Sequence, residues 1–151
     1  MSIDSKNTNF QEQLGIQFGK YSIFSKVAIG GMAEIFLARQ EGLGGFSKTV
    51  VLKCILPHLA KEKEFITMFL DEARVAALLT HPNIVQIYDI DEHNGIYFIA
   101  MEYVKGYNLG KIRRKILAER LPDDFFRHFG ASLIVQAAAG LEYAHSARDD
   151  R

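Results

Sequence analysis

The chain has 151 residues, of which 48% are hydrophobic and 24% charged, the composition of an ordinary globular domain. Eighteen Lys and Arg residues balance eighteen Asp and Glu residues, which argues against a broad nucleic-acid-binding surface and leaves room only for a local basic patch. The single cysteine excludes an internal disulfide, and no apolar run approaches the roughly 20 residues of a membrane-spanning helix, so we expect a cytoplasmic protein with no membrane segment.

The first half of the chain predicts a sheet. Residues 1–18 are polar and irregular, and we interpret them as a flexible leader. Tyr21–Val27 is rich in β-forming residues and leads into Gly30-Gly31, after which Ile35–Ala38 returns as the second strand of a hairpin. A third apolar strand, Thr49–Ile55, ends before Pro57.

A predicted helix follows the third strand. Phe65–Leu79 has an apolar stripe at helical spacing, and Pro82 disfavours its continuation past His81. Two further strands and two helices follow: Ile84–Ile90, Ile96–Met101, Leu109–Glu119 and Asp123 to about Ser146. The predicted fold class is therefore α+β, a five-stranded antiparallel sheet with one packed helix in residues 19–104, followed by two helices in residues 105–151.

Lys53 and Glu72 form the most informative pair of charges. Lys53 closes an apolar strand, and a buried ammonium needs a partner or a polar cleft. Glu72 lies on the helix expected to pack against that strand; alternatively, it makes only a surface contact within its own helix. Cys54 alternates to the opposite face of the strand, where we expect a small core residue.

Two backbone segments each allow two interpretations, and the residues alone do not decide between them. Small residues at Gly30-Gly31 would let backbone N–H groups approach phosphate oxygens, but an ordinary tight hairpin has the same residues. The extended stretch Met101–Val104 could offer N–H and C=O groups to the edge of an adenine, or could simply connect a strand to a helix.

These motifs, in their order and spacing, resemble the bacterial serine/threonine protein kinases of eukaryotic type over residues 21 to about 146. The strings that carry the resemblance are Gly30-Gly31-Met32-Ala33-Glu34-Ile35, Lys53, Phe69–Arg74 with Glu72, His81–Val85, Ala100–Val104 with Gly106, and Gly140–His145. The resemblance implies a kinase small lobe followed by the first two helices of a large lobe. It also implies ATP and Mg²⁺ binding, and phosphoryl transfer to a Ser or Thr hydroxyl of a protein substrate.

By the same resemblance, Lys53 positions the α- and β-phosphates and Glu72 orients Lys53. The backbone at Glu102 and Val104 would meet the adenine. The residues implied to contact the nucleotide are Ala28, Ile29, Gly30, Gly31, Met32, Ala33, Ile35, Val51, Lys53, Met101, Glu102 and Val104.

Two departures from the family pattern qualify the implied activity. Ala28 and Ala33 stand where the first and third loop glycines are expected, which removes some freedom to adopt positive φ. The catalytic loop and the metal-binding Asp are expected beyond residue 151, and Ala147-Arg148-Asp149 lacks the context of a catalytic loop. We therefore expect negligible kinase activity from residues 1–151 alone, with no metal ligand among them and Mg²⁺ bound only with the missing segment.

Two alternatives to an enzyme fragment remain. One is a non-catalytic module that binds nucleotide, or that binds a protein partner on the exposed apolar face of the Asp123–Ser146 helix. The other is a marginally folded gene remnant.

Overall fold

The computed structural model describes residues 15–119 and 122–147. They divide into two compact units: a sheet unit, which runs to Arg74 and resumes at Ile87–Tyr103, and a helical unit, which comprises Val75–Gln86 and the chain from Val104. Residues 75–86 thus group with the later helices, whereas the sequence placed them inside the 19–104 segment.

The sheet unit contains one six-stranded antiparallel sheet and a helix. Its strands have the order β1-β2-β3-β4-β6-β5, and each pairs antiparallel with its neighbour. The elements are β1 (Ile16–Phe18), β2 (Tyr21–Ile29), β3 (Ala33–Glu41), β4 (Ser47–Ile55), α1 (Lys63–Ala77), β5 (Ile87–His93) and β6 (Ile96–Glu102), with 3₁₀ turns at Leu43–Gly45 and Leu59–Lys61. The predicted α+β fold is confirmed, with one strand more than expected.

The additional strand corrects the interpretation of residues 1–18 as a flexible leader. Residues 1–14 lie outside the described residues, but Ile16–Phe18 pairs with β2 in the register Ile16↔Ile23. Phe18 is buried and packs edge-to-face against Phe98, with ring centroids 5.1 Å apart. Gly19, at a φ of 58°, makes the tight turn into β2 that this pairing requires. Burial of one aromatic ring stabilises a strand too short to give a sequence pattern.

Each face of the sheet packs against its own apolar core. One core lies on the face that carries Tyr21, Phe36, Leu52, Cys54 and Phe98. Cys54 is buried there as predicted, and burial, together with the nearby Glu34 carboxylate, raises the pKa of its thiol to about 12. The second core lies between the other face and α1, and includes Ala33, Ile55, Phe69, Ala73 and Ile99.

The fourth predicted strand begins later than expected. Ile84 donates its backbone N–H to the carbonyl of His81 at 3.0 Å, so this segment is a turn and β5 begins only at Ile87. The preceding helix also ends early, at Ala77, because the N–H groups of Leu78 and Leu79 bond to carbonyls three residues back.

The helical unit contains the two helices that the sequence predicted, α2 (Leu109–Glu119) and α3 (Asp123–Ser146). The side chain of Asn108 caps α2 by accepting a hydrogen bond from the Lys111 N–H at 2.9 Å. Asn83 donates its side-chain amide to the Gln136 carbonyl of α3 at 2.8 Å, which ties the 80–84 turn to that helix. No helix within the described ranges is both long and apolar enough to cross a membrane.

Candidate nucleotide-binding site

An ion pair joins β4 to α1. The Lys53 ammonium lies 2.5 Å from a carboxylate oxygen of Glu72 and 5.7 Å from the centre of the Phe69 ring. The Lys53 side chain is 22% exposed and that of Glu72 is 59% exposed. An ion pair with so exposed a carboxylate contributes no more than about 1 kcal/mol to folding. Its main physical effect is therefore to hold the ammonium at one place beside the sheet.

The strand register brings four of the predicted residues to one face of the sheet. Ile35 lies opposite Lys53 in the β3–β4 pairing, and Val51 lies opposite Met101 in the β4–β6 pairing. Side chains directly opposite each other share a face, and residues two apart on one strand do too. Ile35, Val51, Lys53 and Met101, which we call the half-buried strip, are each partly accessible. The strip is an apolar surface with one cation at its end.

The glycine turn lies at the end of the β2–β3 hairpin. The Gly30 N–H bonds to the Ala33 carbonyl at 2.8 Å, and the Met32 carbonyl accepts the Leu56 N–H at 3.0 Å. A Cβ atom added to Gly31 would meet no atom within 4 Å, and one added to Gly30 would meet only the Ala33 carbonyl, at 3.5 Å. The packing of the protein therefore does not require glycine at either position.

The two alanines of the hairpin cause no backbone strain. Among the described residues, Asn94 is the single non-glycine residue with positive φ, so Ala28 and Ala33 both adopt conformations open to any residue. Ala28 pairs with Ile35, and Ile29, at the end of β2, pairs with Glu34. The departure from glycine thus leaves the hairpin geometry intact.

The hairpin contains a second ion pair, which was not predicted from the sequence. The Lys26 ammonium lies 2.6 Å from one carboxylate oxygen of Glu34, and both side chains are largely buried. The other Glu34 oxygen is buried with no hydrogen-bond donor among the described residues. The pair links β2 to β3 next to the glycine turn. Opposite charges eight residues apart across a predicted hairpin were the available signal, but a β-bulge between Lys26 and Ala28 shifts the register that would have shown it.

The segment predicted to meet adenine begins at the end of β6. Met101 pairs with Val51, and Glu102 pairs with Val50 as the last residue of the strand. Val104, which is exposed, is the residue at which the chain re-enters the helical unit. The sheet unit therefore brings together the glycine turn, the half-buried strip and Glu102.

Comparisons with known proteins identify the family of the chain. The protein kinase domain family model matches residues 21–148. Tyrosine-protein kinase MasK of Myxococcus xanthus is 44% identical over 133 residues, which are 85% of this chain and 20% of MasK. Serine/threonine-protein kinase PrkC of Bacillus subtilis is 43% identical over 91 residues, 60% of this chain and 14% of PrkC.

A solved structure gives the same assignment. The PknI kinase domain of Mycobacterium tuberculosis is 30% identical, with a TM-score of 0.63, and the match covers 87% of this chain and 50% of that domain. The chain thus spans about a fifth or less of the two curated relatives and half of a solved kinase domain. It belongs to the protein kinase family, and its relatives include bacterial serine/threonine kinases.

Proposed function

We propose that the sheet unit binds ATP, with Lys53 holding the α- and β-phosphates and Glu72 orienting Lys53. The observation that carries the proposal is the 2.5 Å contact between the Lys53 ammonium and the Glu72 carboxylate, at the end of the half-buried strip. An ammonium has three donors, so Lys53 can keep its bond to Glu72 while it donates to phosphate oxygens. Because Glu72 is more exposed than Lys53, its role is to orient rather than to stabilise.

The apolar residues of the half-buried strip would bind the adenine base of ATP. Ile35, Val51 and Met101 offer a partly buried surface on which a flat purine can pack, with the adaptable thioether of Met101 along one side. Glu102 and Val104 would supply backbone N–H and C=O groups to the edge of the adenine. Ala28 to Ala33 would cover the phosphates, since backbone N–H groups in a glycine turn suit anions.

The proposed reaction is transfer of the γ-phosphoryl group of ATP to a Ser or Thr hydroxyl of a protein, within a complete kinase domain. Relatives named as serine/threonine kinases support this choice of acceptor, although MasK is named a tyrosine kinase. Mg²⁺ neutralises phosphate charge in this chemistry. One or two carboxylates together with the phosphates usually hold the ion, and we assign no Mg²⁺ ligand among the residues of this chain. Phosphoamino-acid analysis of the products of a complete domain tests the acceptor.

Nucleotide titration of the chain tests the ATP site. A fluorescent ATP analogue is titrated into the chain and displaced with ATP. Lys53→Met should weaken binding at least about tenfold, because a hydrogen bond to a charged group is worth roughly 1.5–3 kcal/mol. Glu72→Gln should weaken it less. Lys61→Met and Glu64→Gln, which make the same changes at exposed residues outside the proposed site, are the matched controls and should bind as the parent chain does. If Lys53→Met keeps the parent affinity and the parent melting temperature, the proposal is wrong.

A second candidate function is binding of a protein partner through α3, with or without catalysis. Ile134 and Val135 are 70% and 67% exposed, and Phe125 and Leu141 are also exposed, so α3 presents apolar side chains to solvent. Sedimentation of the purified chain tests this candidate. Self-association abolished by Ile134→Asp supports it, whereas a monomer at all concentrations counts against it.

We also propose a cytosolic location, supported by the single cysteine, which cannot form an internal disulfide. Fractionation of cells that express the chain tests this location.

A further inference from the structure

Helix α2 carries an excess of positive charge in a chain with no net charge. Its four cations, Lys111, Arg113, Arg114 and Lys115, stand against one carboxylate, Glu119, which leaves the helix at +3. Lys115 lies 3.8 Å from Glu119, at the limit of an ion pair. Across the described ranges, no carboxylate lies within ion-pair distance of Lys111, Arg113 or Arg114. Within the part of the chain that the structure describes, these three cations are therefore exposed and without an acidic partner, as an anion-binding surface requires.

A cavity of about 350 Å³ lies along the same helix. It is lined by Tyr107, Lys111, Ile112, Lys115, Ile116 and Glu119. Positions 111, 115 and 119 are four residues apart and form one row, while Ile112 and Ile116 form the adjacent row. The cavity thus has an apolar floor and a cationic rim, with one carboxylate at the C-terminal end of the helix.

The cations differ in their position relative to this cavity. Arg114 does not line the cavity, but it is three residues after Lys111 and therefore neighbours that cation on the helix surface. Arg113 is two residues from both Lys111 and Lys115, which places it on the other side of the helix. All four side chains are exposed. A substitution at Arg113 therefore changes the net charge of α2 without changing the cavity, and serves as the control for substitutions at Lys115.

We propose that this surface docks an acidic segment of a protein partner, with an apolar side chain in the cavity and flanking carboxylates on Lys111, Arg114 and Lys115. Charge complementarity selects the anion, and the apolar floor selects a segment that also carries a hydrophobic anchor. A lipid surface fits less well, because Ile116 is already buried in the protein and cannot insert into a membrane. A nucleic-acid backbone would make no use of the apolar floor, because its contacts are made through phosphates.

The test uses the 151-residue chain and a fluorescein-labelled peptide in which Asp and Glu residues flank one central Leu, with binding followed by anisotropy. The peptide should bind, and raising the salt from ~50 mM to ~500 mM should weaken binding because exposed charges are screened. Two control peptides, with Asn and Gln in place of the acids or with Ser in place of Leu, should bind more weakly. Lys115→Glu should weaken binding about tenfold, Glu119→Gln should strengthen it, and Arg113→Glu should have less than half the effect of Lys115→Glu.

Several results would overturn the proposal. They are no binding of the acidic peptide, equal binding of the Asn/Gln peptide, or an equal effect of Arg113→Glu and Lys115→Glu. Phosphatidylglycerol vesicles or single-stranded DNA that bind with Lys115→Glu sensitivity, while the peptide does not, would assign the surface to lipid or nucleic acid instead. Should Lys115→Glu fail to fold by circular dichroism, Lys115→Gln and the salt series on the parent chain decide the matter.

Discussion

The sheet unit and the helical unit differ in how many of their charged side chains are paired and how many of their apolar side chains are buried. Within the sheet unit, Lys20, Lys26 and Lys53 each contact a carboxylate, and two apolar cores fill the faces of the sheet. In the described part of the helical unit, Ile116 is the one buried large apolar side chain, and most cations of α2 lack acidic partners. In the sheet unit, packing and ion pairs therefore hold most side chains in place, whereas in the described part of the helical unit many apolar and charged side chains are exposed.

The largest expected effect comes from the core of the sheet unit. Phe98→Ala removes a buried ring that contacts both Phe18 and Tyr21 edge-to-face. It should lower the free energy of unfolding by about 3–5 kcal/mol, measured by urea denaturation. The matched change in the helical unit, Ile134→Ala, should cost less than about 0.5 kcal/mol because that side chain is 70% exposed. Equal losses of unfolding free energy for the two variants would contradict this difference between the units.

Removing Lys26 should give the next largest loss. Lys26→Met leaves the Glu34 carboxylate buried without its cation, and should cost about 3 kcal/mol in urea denaturation. The double variant Lys26→Met/Glu34→Leu should recover most of that loss, because an apolar pair of similar volume needs no counter-charge. A double variant as unstable as the single one would show that the ion pair itself, rather than the uncompensated charge, stabilises the hairpin.

The free energy of unfolding should also depend on pH through Cys54. Burial raises the pKa of this thiol from 9.0 to about 12, so the folded state favours the neutral form. The stabilisation is complete below pH 9 and is lost as the pH rises from 9 towards 12, by up to about 1.4 kcal/mol per pH unit. Cys54→Ala should remove this part of the pH dependence. Parallel pH profiles for the parent and Cys54→Ala would contradict the prediction.

The smallest expected effect is at the glycine turn, where one double variant should change stability and ATP binding in opposite directions. The double variant Gly30→Ala/Gly31→Ala should raise the free energy of unfolding by up to about 1 kcal/mol, because both sites have room for a Cβ and neither has positive φ. The same variant should bind ATP more weakly, since the methyl groups hinder close approach of phosphates. As a control, Gly95→Ala, at a φ of 79°, should lower stability instead. A stabilised variant with the parent affinity for ATP would remove the turn from the proposed site.

Much of the fold could be predicted because local signals agreed with tertiary packing. The sequence predicted α2 and α3 at the observed bounds, and in the structure Asn108 caps the start of α2 and Pro122 directly precedes α3. Three features could not be predicted. The strand Ile16–Phe18 is stabilised by contact with Phe98, eighty residues away, and the start of β5 depends on the turn at Ile84. The Lys26–Glu34 pair depends on a bulge in β2, which no local pattern indicates.

Part of the candidate site could also be predicted, because strand periodicity determines which residues share a face of the sheet. Ile35, Val51, Lys53 and Met101 share a face because residues alternate along each strand and the strands pair in register. Which charges meet across elements is a tertiary property, and spacing alone left open whether Glu72 pairs with Lys53 or makes only a surface contact within its own helix.

The measurement that most directly tests the ATP site is an amide NMR map of the isotope-labelled 151-residue chain titrated with ATP. We expect the largest shifts at Gly30, Gly31, Met32 and Lys53 and at residues 101–104, with residues of α2 unchanged. Loss of these shifts in Lys53→Met would tie them to the phosphate contact. Shifts confined to α2, or none at saturating ATP, would contradict the proposal that the Lys53 face of the sheet binds the nucleotide.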